Sequence, residues 1–230
     1  LKQSASVSEK VKFFDKKETV SIMTNIYDMP EVKAQLVMTF TTYPGGVVEL
    51  VETMKPYETS ETPGMFRFGI LADLPFEAQD LKYYGRGPWE NYSDRASGAP
   101  LGVYEQTVKE QFFPYIRPQA TGTKTDARWL EIAGYRIFSD KAFTFSALNY
   151  TQDELDETRV ADANSVDGYT PDKHQRHPAD LRLTDRVELS LNSAEAGVGG
   201  VDSWSRSAEA LPPYRVAFGE QTLRLFFMPK

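Results

Sequence analysis

Cysteine is absent from this 230-residue chain, which removes disulfide frameworks, thiolate nucleophiles and cysteine-based metal sites together. That absence does not separate a bacterial cytoplasm from a periplasm. A basic excess is also missing. Lys and Arg number 26 against 33 Asp and Glu, a net charge of −7, which speaks against binding a phosphate backbone and so against nucleic acid as a partner. No apolar run approaches the ~20 residues that cross a bilayer, and the opening Leu1-Lys-Gln-Ser-Ala-Ser has no signal-peptide core, so no membrane partner is expected. The chain starts at Leu1 without an initiator Met. Either a leader was removed or this is a piece of something longer.

Histidine is nearly absent too. His174 and His177, three apart in a polar segment, could hold zinc only with further ligands, and none is evident. A solvated loop pair is the expectation, with no metal site. No Gly-x-Ser-x-Gly elbow exists for a serine hydrolase. Gly85-Arg86-Gly87-Pro88 has the outline of a phosphate-binding loop, but it lacks the third glycine, and Pro88 removes a backbone N–H that such a cradle uses. It reads as a tight turn.

What the chain does have is strand signal. Val32, Ala34, Leu36, Met38 and Phe40 alternate with polar residues, the period of a half-buried strand. Tyr43-Pro44-Gly45-Gly46 then supplies turn chemistry, and residues 47–54 resume an extended pattern, which predicts a hairpin. Further strands are expected at 19–27, 65–72, 79–84, 128–132, 135–139, 143–148, 186–191, 214–218 and 222–227. One short helix is expected over 152–158, because Thr151 and Glu154 form a capping-box pair. Segments 85–125 and 162–179 lack periodicity, and loops that long usually carry function or pack on another domain. Nothing marks a linker. The fold class is all-β, antiparallel sheets packed as a sandwich, in one domain spanning residues 1–230. Such a chain buries roughly 70% of its unfolded surface and needs no staples.

Paired carboxylates would suit sugar chemistry. Glu90, Asp94, Glu105 and Asp202 qualify by type, but no context makes two of them a pair. In Trp89-Glu90-Asn91-Tyr92-Ser93-Asp94-Arg95 the charged residues read as ties that hold down a long loop. Trp204 differs. It follows Gly197-Val-Gly199-Gly200-Val-Asp202-Ser203, where glycines permit backbone turns that other residues avoid. Its ring could stack on the C–H face of a hexose while Asp202 and Ser203 hydrogen-bond to hydroxyls, or it could plug the end of a sheet. Both readings stand on residues alone. Trp89 is a weaker candidate, and Trp129, in a strand-like run, reads as core.

Three motifs together carry a resemblance. Tyr84-Gly-Arg-Gly-Pro-Trp-Glu-Asn-Tyr-Ser-Asp-Arg95 resembles the Gly-x-Gly-Pro-x-Glu-Asn-Tyr-x-Asp-Arg signature of the C-terminal small-chain domain of bacterial family 2 β-galactosidases. Pro114-Tyr115-Ile-Arg-Pro118-Gln-Ala-Thr-Gly122 is similar to its Pro-Tyr-x-x-Pro-x-x-x-Gly, and Gly199-Gly200-Val-Asp202-Ser203-Trp204-Ser205 to its closing Gly-Gly-x-Asp-Ser-Trp-Ser. The order and approximate spacing match, so the resemblance spans about residues 65–230, with the first 60 fitting as opening strands.

That resemblance implies a galactose-mutarotase-like supersandwich within a larger multidomain enzyme that hydrolyses terminal, non-reducing β-D-galactosides with retention. The catalytic glutamates would lie in a TIM-barrel domain of the same polypeptide, so this chain would contribute no catalytic residue. It implies Trp204 as the substrate-binding stack, Asp202 and Ser203 as residues that fix its loop, and residues 85–95 as a structural signature. It implies no cofactor in this domain, with any Mg or Na ions bound elsewhere in the parent, a β-galactoside as ligand, and a homo-oligomeric parent. One departure is Val201, where many relatives carry a second acid before Asp202. A freestanding carbohydrate-binding module and a purely structural domain remain the alternatives. A sugar epimerase is disfavoured, since such enzymes use well-separated histidines and these two are nearly adjacent.

Overall fold

The computed structural model of the chain describes residues 2–3, 8–14, 18–58, 64–116, 120–155, 159–161, 169–171, 177–200 and 208–230. Strands dominate them: β1 (Lys2–Gln3), β2 (Ser8–Phe14), β3 (Glu18–Met29), β4 (Ala34–Thr42), β5 (Val48–Pro56), β6 (Arg67–Pro75), β7 (Asp80–Arg86), β8 (Leu101–Thr107), β9 (Lys124–Ile132), β10 (Tyr135–Leu148), β11 (Arg159–Ala161), β12 (Tyr169–Pro171), β13 (Arg186–Glu195) and β14 (Gln221–Pro229). All the pairings are antiparallel. Twelve strands form one sheet whose main path runs β1-β3-β4-β5-β14-β10-β9-β7-β8, while β11 and β12 pair separately. The all-β expectation holds.

The sheet forks at β10. Residues 135–138 lie between β14 and β9, but residues 144–148 pair with β13, which carries β6 beyond it. Two expected strands, 135–139 and 143–148, are therefore one 14-residue strand that changes neighbours midway. The hairpin into it turns on Ala133 (φ 52°) and Gly134 (φ 78°), the two left-handed residues that match strand twist. Leu130, Phe145, Leu191 and Leu225, from four different strands, lie fully buried in one core cluster.

One strand expectation fails for a physical reason. Residues 214–218 form no strand, because Pro212 and Pro213 cannot donate to a ladder and open a 3₁₀ turn at Pro212–Tyr214; Val216 makes only an isolated bridge to Met65. Conversely β8 falls in a stretch without legible periodicity. Its Leu101 and Val103 face outward on the last strand of the path, so its apolar residues mark the wrong side. The short helix is present as Gln152–Leu155, with the Glu154 N–H donated to the Thr151 hydroxyl at 3.1 Å; residues 156–158 lie outside the described residues.

One core position holds an acid. Leu50, Glu52 and Met54 share the buried face of β5, and Glu52 sits opposite Met38 and Leu223. It is 4% exposed, and its Oε2 has no hydrogen-bond partner among the described residues. Burial lifts its carboxyl from 4.5 to about 7. Between those pH values the folded chain holds a proton that the unfolded chain has released, so stability falls as pH rises through this window. The loss amounts to about 3 kcal/mol at most. Glu52→Gln should therefore be more stable than wild type in urea at pH 8, with little difference at pH 4.5. A difference that does not change between the two pH values would refute this.

Candidate functional site

The glycine-rich stretch that carries the candidate ring is described at both ends. Trp204, Asp202 and Ser203 themselves lie outside the described residues. The Ala196 N–H donates to Phe66 O at 2.7 Å and the Gly197 N–H to Tyr214 O at 2.8 Å, which pins the incoming chain on both sides. The Gly200 N–H then reaches Ala208 O at 3.2 Å, closing the loop across its base. Gly199 has φ 76°, and a Cβ there would lie 1.8 Å from Ala208 O. A Cβ on Gly197 would lie 2.4 Å from the Asp94 carboxylate. Close approach requires glycine at both positions, and at Gly199 the left-handed backbone angle requires it as well.

Asp94 explains that crowding. Its carboxylate accepts the Val198 N–H at 3.1 Å and the Gly199 N–H at 2.9 Å, a charge-assisted clamp at the foot of the loop. The first signature motif thus holds the third. Asp94 was expected to tie its own loop down; it ties down a segment a hundred residues away.

Glu90 links the first motif to the second in the same manner. Its carboxylate, 8% exposed, accepts from Arg95 at 3.0 Å, the Gly122 N–H at 2.8 Å, the Thr121 hydroxyl at 3.3 Å and the Tyr115 hydroxyl. Arg95 also lies over the Tyr92 ring at 5.3 Å. Asn91 is wholly buried: its amide donates to Arg86 O and Trp89 O, and its oxygen accepts from the Thr125 backbone and hydroxyl. Beneath this loop Lys124 is 1% exposed and donates to Gly122 O at 3.2 Å. Burial lowers its ammonium from 10.5 to about 8, against the opposing pull of Glu90. Burial also raises the Tyr92 phenol, with Glu90 and Glu195 adding to the effect.

The other candidates scatter. Glu105 pairs with Lys82 across β7 and β8 in the open. Trp89 is 72% exposed on the braced loop. Trp129 was expected in the core, yet it is only half-buried in β9, with the Arg136 guanidinium 5.2 Å over its ring, because it points to the face opposite Leu130. His177 Nδ1 donates to Ile116 O at 2.8 Å, while His174 lies outside the described residues. Among the described residues no three His, Asp or Glu side chains converge as a metal site.

Residues 2–227 match the family described as β-galactosidase small chain. The chain belongs to that family. It is 34% identical to a β-galactosidase of Priestia megaterium over 186 residues, which are 79% of this chain and 16% of that protein. It is also 34% identical over 148 residues to a β-galactosidase of Vibrio cholerae (64% of this chain, 13% of that protein) and 36% identical over 140 residues to one of Lactobacillus delbrueckii (60% and 12%). This small-chain domain therefore spans about a sixth or less of the length of these relatives. The resemblance read from the three motifs is correct, and their clustering through Glu90 and Asp94 gives the small-chain signature a physical basis.

Proposed function

We propose that this small-chain domain is the C-terminal, non-catalytic part of a retaining β-galactosidase that cleaves terminal, non-reducing β-D-galactosides. In this reading the domain is a mutarotase-like supersandwich, and its partner is the TIM-barrel domain of the same polypeptide, which holds the acid/base and nucleophile glutamates. Trp204 stacks on the bound sugar at the active-site mouth, and Asp202 and Ser203 fix the ring's approach. Any Mg or Na ion is held outside this chain.

The observation that carries this reading is the braced foot of the loop. Positioning a ring within reach of a substrate requires a stiff base, and the Asp94 clamp with the Gly200–Ala208 closure supplies one. Family membership supports the activity. Three of the four carboxylates that sequence made eligible are committed elsewhere, Asp202 lying outside the described residues: Glu90 to four donors, Asp94 to two backbone N–H groups, and Glu105 to Lys82.

The test is Trp204→Ala in the complete enzyme. Loss of one aromatic stack costs about 1–3 kcal/mol, roughly five- to hundred-fold in KM for a galactoside. The isolated chain should not turn over a chromogenic galactoside. Unchanged kinetics in the variant would remove Trp204 from the substrate site, and turnover by the purified chain would contradict the assignment of chemistry to another domain.

A further inference from the structure

A second feature lies beside the loop base and is lined by described residues alone. A cleft of about 480 Å³ opens between the 85–96 loop, strands β9, β10 and β13, and the segment 213–216. That is within the range of small-molecule sites, about 300–1,000 Å³.

Three irregularities in neighbouring strands converge on it. In β9, Asp126 takes a left-handed φ of 54°, and the β9–β10 register shifts between Phe143 and Phe145. In β10, residues 139–142 stand opposite the single residue Arg128, three more than the register needs, and Ala142 lines the cleft. In β13 the register with β6 shifts between Asn192 and Ala194, so Ser193 is the inserted residue. Asp126 and Ser193 both line the cleft. Bulges re-aim side chains and collect beside binding sites, and strained backbone does the same. Three on one cleft mark a built feature.

The lining is polar but balanced in charge: Arg86 and Arg215 against Asp126 and Glu195. Arg86 Nε donates to Asp126 at 2.6 Å. Each oxygen of Glu195 accepts one hydroxyl, Thr123 at 3.1 Å and Thr144 at 2.7 Å, and a carboxylate oxygen has capacity for a second. Ser193 Oγ is buried with no hydrogen-bond partner among the described residues. Tyr214 presents a partly exposed ring at the rim.

This composition selects a ligand class. A phosphate would meet two carboxylates, and a metal cation would meet two guanidiniums. An apolar ligand would cover hydroxyls and charges without pairing them. A neutral ring dense in hydroxyls can donate to Glu195 and Asp126, accept from Arg86, and lay its C–H face on Tyr214. We propose that this cleft is a binding site for a neutral cyclic sugar, which its described lining residues hold without the Trp204 ring.

The experiment is a titration of the ¹⁵N-labelled chain with galactose and glucose, followed by amide shifts. Saturable shifts confined to 123–126, 193–196 and 214–216 are expected, with a dissociation constant on the order of 1–10 mM. Glu195→Gln should weaken binding at least five-fold with an unchanged unfolding midpoint, and Trp204→Ala should leave it intact. If Glu195→Gln does not fold, Tyr214→Ala carries the same expectation. Absence of saturable shifts at about 100 mM sugar, or binding lost in Trp204→Ala but kept in Glu195→Gln, overturns the proposal. Tighter binding of inorganic phosphate or Mg²⁺ at the same amides overturns the ligand class.

Discussion

Replacing Glu90 by Ala is expected to destabilise the chain by about 3 kcal/mol, chiefly the cost of stripping the acceptor from the buried Gly122 N–H and its neighbours, with the half-exposed Arg95 pair adding little. The carboxylate is the single acceptor shared by Arg95, Tyr115, Thr121 and Gly122. Without it, donors in a water-poor site lose their partner, and Lys124 loses the negative charge that offsets its burial. For a domain of this size each kcal/mol moves the thermal midpoint by about 2–4 °C, so a drop on the order of 10 °C is expected. Glu90→Gln should fall between, since the amide keeps one acceptor but turns a second group of donors toward the Gly122 N–H. The control is Glu105→Ala, which removes an exposed pair with Lys82 and should leave the midpoint in place. Calorimetry of the three variants decides the matter. A Glu90→Ala midpoint within 2 °C of wild type would show that the network is ornamental.

What was legible in the sequence divides along physical lines. Alternation over residues 32–40 and the Tyr43-Pro44-Gly45-Gly46 turn specify β4, β5 and their hairpin, because both signals are local. Gly199 was legible as an unusual backbone position. Its reason was not, since the atoms that crowd it belong to Ala208 and Ala210, and the carboxylate that accepts its N–H belongs to Asp94, which only the folded chain brings there. Glu90 and Asp94 were readable as structural ties without their partners for the same cause. Glu52 illustrates the opposite failure. Its neighbours Leu50 and Met54 place it on the inner face, and a formal charge conceals a position that burial keeps largely protonated below pH 7. The bulges at Asp126 and Ser193 leave no periodic trace, because each is a single residue out of step with a partner strand. The motifs were nonetheless legible as a set. Their described parts meet through Glu90 and Asp94, which only the folded chain shows.

Asp94→Ala in the complete enzyme is expected to reproduce much of the kinetic defect of Trp204→Ala without touching the ring. Hydrogen bonds to a charged acceptor contribute about 1.5–3 kcal/mol each, and Asp94 makes two, to Val198 and Gly199. Their loss frees the loop base and spreads the positions the segment can adopt. The apparent affinity then falls by the fraction of time the loop is competent, so KM for a galactoside should rise about ten- to hundred-fold. The galactoside kcat should change less, because the proposed function puts the bond-breaking carboxylates in another domain. A merely structural role for Asp94 would lower the yield of folded enzyme and leave KM alone. The two substitutions should also fail to add: once Trp204 is gone, loosening its loop has nothing further to remove, so the double variant should resemble Trp204→Ala. Gly199→Ala offers an independent route to the same end, since a Cβ at 1.8 Å from Ala208 O must push the loop base apart. If Asp94→Ala and Trp204→Ala raise KM by factors that multiply in the double variant, the clamp and the ring act separately and the braced-loop reading fails.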